Sequence, residues 1–77
     1  MSSWVEASDG SHELVDEDWT VFLRFDGVEA VLEIYFLTTF VTSKKWGRGI
    51  TSRKDGIDWC KKQSILVLNQ EKIKKGY

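Results

Sequence analysis

Between Trp19 and Phe36 the chain alternates apolar and mixed positions on either side of an Asp26-Gly27 step. In Trp19-Thr20-Val21-Phe22-Leu23-Arg24-Phe25 every odd position is apolar. A period of two places such positions on one face of a β-strand. Asp-Gly is a favoured central pair of a two-residue hairpin turn, because both central residues need a positive φ. A turn centred there predicts Phe25 opposite Val28, Leu23 opposite Ala30, Val21 opposite Leu32 and Trp19 opposite Ile34, all of them apolar pairs. The other face would pair Arg24 with Glu29, Phe22 with Val31 and Thr20 with Glu33, a mixed surface with one favourable charge pair.

The returning strand cannot run straight on to Ser43, because sixteen residues at about 3.3 Å each would span roughly 50 Å. The alternation changes phase near Leu37 to Thr39. A bend or bulge is expected there, followed by a further strand around Phe40 to Ser43. At the front, Trp4 to Ala7 and Glu13 to Val15 read as short strands across a Ser8-Asp9-Gly10-Ser11 turn.

The C-terminal third is ambiguous. Asp55, with Asp58 three residues on, resembles an acidic capping box, and Lys74-Lys75-Gly76 resembles a helix stop. Yet Ile57, Trp59, Cys60, Ile65, Leu66, Val67, Leu68 and Ile73 leave no clean stripe on a helical wheel. Read as strands, Ile57 and Trp59 alternate with Asp58 and Cys60, and Ile65 to Leu68 suits a strand buried on both faces. Two strands are the preferred expectation, with a C-terminal helix as the alternative.

Composition agrees with a sheet. Valine, isoleucine, threonine and the aromatics are abundant, alanine occurs twice and proline is absent. The expected fold is one small, mainly β domain over residues 1–77. It would be an antiparallel sheet or partial barrel of five to six short strands, the alternative being α+β with a C-terminal helix. Seventy-seven residues bury a modest core, and the ten aromatic side chains are its natural source of apolar area. A lone cysteine, Cys60, excludes an internal disulfide. The N-terminus has neither a basic nor an apolar stretch of a secretion signal, so the chain reads as a complete cytoplasmic product. No apolar run approaches the length of a membrane span.

The net charge of −1 hides two opposed halves. Residues 1–40 hold nine acids against Arg24 alone, whereas residues 41–77 hold ten bases against Asp55, Asp58 and Glu71. Such asymmetry bears on partners rather than fold.

Few residues suit catalysis. His12 and Cys60 allow only a dyad unsupported by spacing, and each has a plainer reading, His12 as a solvated turn residue and Cys60 as a small buried apolar one. Two such ligands fall short of a structural zinc site, and Asp16-Glu17-Asp18 lacks the alternating acids and glycine of a calcium loop. Gly47-Arg48-Gly49 is a fragment of a phosphate-binding glycine loop, with Ser52 at the third glycine position. No enzyme activity and no cofactor are expected.

Two segments suit binding. Asp9, Glu13, Asp16, Glu17 and Asp18, beside Trp4, form an acidic region with an aromatic anchor. Carboxylates on a rigid sheet can compete for a groove that otherwise holds a phosphate backbone. The plainer reading is a solvated acidic face that partly neutralises the basic half. Lys44, Lys45, Trp46, Arg48, Arg53 and Lys54 put five bases and a stacking ring into eleven residues without an acid, which suits single-stranded nucleic acid. The plainer reading there is a lysine-guarded edge strand. The leading expectation is a protein-interaction module, most concretely a small inhibitor whose acidic face blocks a nucleic-acid-binding site on a basic protein partner. Phage-type anti-defence proteins are the class it brings to mind. The alternative is a nucleic-acid-binding module using residues 44–54. A bipolar chain of this kind can also stack acidic face on basic face as a homodimer.

Overall fold

The computed structural model describes residues 3–26, 29–47 and 55–76. Five strands, β1 (Val5–Glu6), β2 (His12–Asp16), β3 (Trp19–Asp26), β4 (Glu29–Phe36) and β5 (Thr39–Trp46), precede one helix, α1 (Gly56–Lys74). The strands pair antiparallel in chain order, leaving β1 and β5 as the outer strands of an open sheet. The mainly β fold expected from the alternation is the one observed, and the C-terminal helix of the alternative is present with it.

The front of the chain folds as its turn residues imply. Ala7 N–H donates to the Ser11 carbonyl at 2.8 Å and Gly10 N–H to the Ala7 carbonyl at 3.0 Å. Gly10 adopts φ 86°, which a side chain would strain. The Asp9 carboxylate caps the turn by accepting from Ser11 N at 2.9 Å and Ser11 Oγ at 2.6 Å. These bonds hold the Asp9 carboxyl below its ordinary pKa.

The β3–β4 register differs from expectation by two residues. Asp26 pairs with Glu29, Phe25 with Ala30, Leu23 with Leu32, Val21 with Ile34 and Trp19 with Phe36. On the other face Arg24 pairs with Val31, Phe22 with Glu33 and Thr20 with Tyr35, so the expected Arg24–Glu29 pair does not form. Gly27 and Val28, between the two strands, lie outside the described residues. A slip of two preserves which side chains share a face, so the apolar alternation is equally satisfied by both registers.

The break after Phe36 falls where the phase changed. Leu37 and Thr38 turn the chain, Leu37 at φ 57°, and Leu37 N–H donates to the Asp18 carbonyl at 2.7 Å, tying this turn to the β2–β3 turn. A bulge lies one turn further on. Ile34 faces Thr42 whereas Tyr35 faces Phe40, which leaves Val41 as the extra residue, packed against the core.

One sheet face carries the core. Leu14, Trp19, Val21, Leu23, Ala30, Leu32 and Ile34 are buried there with Cys60 and Leu68 of α1. His12 is buried at the start of β2, only 6% exposed, with its ring edge-on to Phe25 at 5.8 Å. It is therefore not the solvated turn residue expected. Its place in β2 on the Leu14 face turns it inward. Cys60 is buried, as a small apolar residue should be.

The expected strands at Ile57–Cys60 and Ile65–Leu68 do not form; both segments belong to α1. The helix hides its packing stripe in small residues. Gly56, Cys60, Ser64 and Leu68 are its buried positions, spaced every fourth residue. That row is a ridge that can enter a groove of the sheet closely because three of its four members are small. Ser64 Oγ donates to the Cys60 carbonyl at 2.7 Å, which satisfies the hydroxyl inside the core. Ile57, Trp59, Leu66 and Ile73 are exposed instead. A wheel drawn from hydrophobicity therefore misses the stripe. The boundary signals fare better: Asp55 is the N-cap residue, without a side-chain cap bond, and Gly76 ends the helix at φ 84°.

Candidate partner-binding cleft

A cleft of about 750 Å³ opens where the N-terminal segment and the end of β2 meet α1. Leu14 and Leu68, both core residues, line it together with Ile65. Trp4, Val15, Asp16 and Glu17 line it too, with Ser3 and Asn69. The cleft thus combines apolar side chains, an indole and two carboxylates.

Each polar member has a local cause for its position. Asp16 ends β2 on the Leu14 side of the strand and meets Lys72 Nζ from the last turns of α1 in an ion pair. Both partners are about a quarter exposed, so the pair is only partly screened by water. Glu17 follows at φ 57°, a left-handed residue that turns the chain into β3 and leaves its carboxylate exposed. Trp4 packs against the core from its partly buried position, and Lys61 Nζ lies 5.9 Å from the centre of its ring. At the same end as Asp16, Lys75 Nζ sits 4.7 Å from the Phe36 ring centre. The helix therefore brings its lysines to the acidic hairpin turn, so part of the opposed charge is neutralised within the molecule.

Of the acidic candidates, Asp16 and Glu17 join Trp4 at this cleft, and Asp18 is their neighbour in the turn. Asp9 lies in the β1–β2 turn at the other end of β2, bonded to Ser11. Glu13 alternates with the buried His12 and Leu14 and is exposed on the opposite sheet face. Leu14, Ile65 and Leu68 were missed by a search for charge and aromatic rings; their signal was only that of ordinary core residues.

The basic candidates are less well gathered. Lys44 and Lys45 are successive exposed residues of the outer strand β5, so their side chains leave opposite faces. Trp46 packs edge-on against Trp59, with ring centres 5.9 Å apart at 84°. Arg48, Arg53 and Lys54 lie outside the described residues. Among the described residues no group of three or more His, Cys, Asp or Glu side chains gathers as metal ligands would, and no helix is long and apolar enough to cross a membrane. Burial holds the His12 pKa below its ordinary value; Lys61 adds to this and Glu6 opposes it. Burial pushes the Cys60 thiol up, away from the thiolate form that nucleophilic chemistry requires.

Comparison of the chain with protein-family models, curated proteins and solved structures returned no match.

Proposed function

We propose that the protein is a non-enzymatic interaction module that receives a basic side chain of a protein partner in the Trp4–Asp16–Glu17 cleft. The observation that carries this reading is the convergence of one indole and two carboxylates on a cleft that Leu14, Ile65 and Leu68 also line. An arginine or lysine has an apolar stem and a cationic head. The stem would lie along Leu14 and Ile65, and the head would meet Glu17 and share Asp16 with Lys72. Tryptophan anchors and desolvated charge pairs are the groups that dominate many protein interfaces. If the captured cation is one that otherwise holds phosphate, occupancy of the cleft blocks nucleic-acid binding by the partner. That outcome is the inhibitor reading, with a phage-type anti-defence role as its setting.

The nucleic-acid-binding alternative needs the Trp46 ring as a stacking platform, yet that ring packs on Trp59. The test is a parallel titration of the full chain with a short arginine-rich peptide and with a single-stranded oligonucleotide, read by tryptophan fluorescence. Peptide binding that weakens about tenfold or more in Glu17→Lys and Trp4→Ala supports the cleft. Oligonucleotide binding lost on Lys44→Glu or Lys45→Glu, with no peptide binding, replaces this reading with the alternative.

A further inference from the structure

The sheet face turned away from α1 is mixed, with an aromatic cluster among charged side chains. Phe22, Tyr35 and Phe40 form a continuous aromatic row there, with ring centres 5.7 Å apart for Phe22–Tyr35 and 5.6 Å for Tyr35–Phe40. Val15 at 53% and Phe40 at 52% exposure extend the row toward the two sides of the sheet. Charged residues stand around it on the same face, Glu13 on β2, Arg24 on β3, Glu33 on β4 and Lys45 on β5.

We infer that this face is the dimer interface of the protein, occupied by the same face of a second copy. Strand order and register make it self-complementary. Val15, Thr20, Tyr35 and Phe40 form one cross-strand row, and Glu13, Phe22, Glu33 and Ser43 the next. A two-fold axis along the strands, midway between β3 and β4, lays β2 of one copy over β5 of the other and β3 over β4. Val15 then faces Phe40 of the second copy, and Thr20 faces Tyr35. Glu13 lies beside Ser43 with Lys45 one pleat away, about 7 Å along the strand and within reach of a lysine side chain. Arg24 stands in the same relation to Glu33. The symmetry doubles each charge pair, so four pairs flank the aromatic centre.

The overlapping strands β2 to β5 hold 29 residues, each covering about 4.8 Å by 3.3 Å, so they present roughly 450 Å² per copy and roughly 900 Å² for two copies, the size of a weak, concentration-dependent interface. The alignment is that of a β-sandwich, in which two sheets bury their apolar faces against one another. This face lies across the sheet from α1 and shares only Val15, at the rim of both, with the proposed partner-binding cleft, so the inference does not rest on that reading.

The test is sedimentation equilibrium of the full chain with two single charge reversals and their combination. The wild type is expected to be dimeric at about 100 μM and to dissociate on dilution. Glu13→Lys and Lys45→Glu each place like charges opposite one another and should weaken the dimer about tenfold or more, whereas the double variant restores it to near the wild-type constant. Phe40→Asp should give a monomer with unchanged circular dichroism. A wild type that stays monomeric at about 100 μM overturns the inference and leaves the face to a different protein. A dimer that survives Phe40→Asp overturns it by placing the interface elsewhere. A double variant no tighter than the single ones refutes the two-fold arrangement.

Discussion

Replacing Leu68 with alanine removes the largest fully buried side chain that α1 contributes to the core, and the size of the effect follows from its surroundings. Leu68 is 2% exposed and packs in the cluster formed by Trp19, Val21, Leu23, Leu32 and Ile34. Three carbons are lost from an apolar site, about 2.4 kcal/mol in transfer free energy alone. The cavity left behind brings the total to about 2–5 kcal/mol. A chain of 77 residues has about 4–12 kcal/mol of stability to lose, so the variant sits close to its unfolding threshold. The same substitution at Leu66, 54% exposed on the same helix, changes little, because alanine is at least as good a helix former. Urea titrations followed by far-ultraviolet circular dichroism and by tryptophan fluorescence read the helix and the sheet core separately. Both signals should shift together in Leu68→Ala and stay near wild type in Leu66→Ala. A nineteen-residue helix with no alanine is marginal alone, so it must melt with the sheet that holds it. Equal losses in the two variants, or separate midpoints for the two signals, would refute the docking of α1 through its small-residue ridge.

Leu37 is exposed and held at φ 57° in the β4–β5 turn. Leu37→Gly relieves a left-handed conformation costing about 1–2 kcal/mol, offset by roughly 0.5–1 kcal/mol of backbone entropy, so a net gain of up to about 1 kcal/mol should appear in the same urea titration; a loss of stability contradicts it. Because burial lowers the His12 pKa, the unfolded chain takes up a proton that the folded chain resists as pH falls through about 6.5. The contribution of His12 to stability is complete above that pH. It declines toward the lower folded pKa, at no more than about 1.4 kcal/mol per pH unit. His12→Gln should flatten the stability profile as pH falls below about 6.5, and an unaltered slope there speaks against a buried neutral ring.

The strand pattern was legible because a sheet with one buried face writes a period of two into the chain. The odd residues from Trp19 to Phe25 showed it, and the break at Leu37 showed where it ended. The β3–β4 register was not legible, since Leu23 meets an apolar partner whether it faces Ala30 or Leu32. The helix was obscured for a different reason. Its buried row of Gly56, Cys60, Ser64 and Leu68 is defined by smallness, whereas Ile57, Trp59, Leu66 and Ile73 advertise hydrophobicity on the surface. Asp55 and Gly76 still marked its ends, because caps answer to local backbone geometry rather than to what the helix packs against.

The candidate site divides in the same way. Trp4, Asp16 and Glu17 could be picked out as a charge-and-indole group, but their convergence could not, since it depends on α1 delivering Ile65, Leu68 and Lys72 from some fifty residues away. Alternation, turn chemistry and helix caps are local, so the sequence by itself determined which segments form strands, the β1–β2 turn and the residues at the ends of the helix, though not that the helix forms between them. Register, the inward turn of His12 and the meeting of Asp16 with Lys72 compare energies across distant segments. Those were decided only in the tertiary structure, where one closely packed arrangement of sheet and helix satisfies them together.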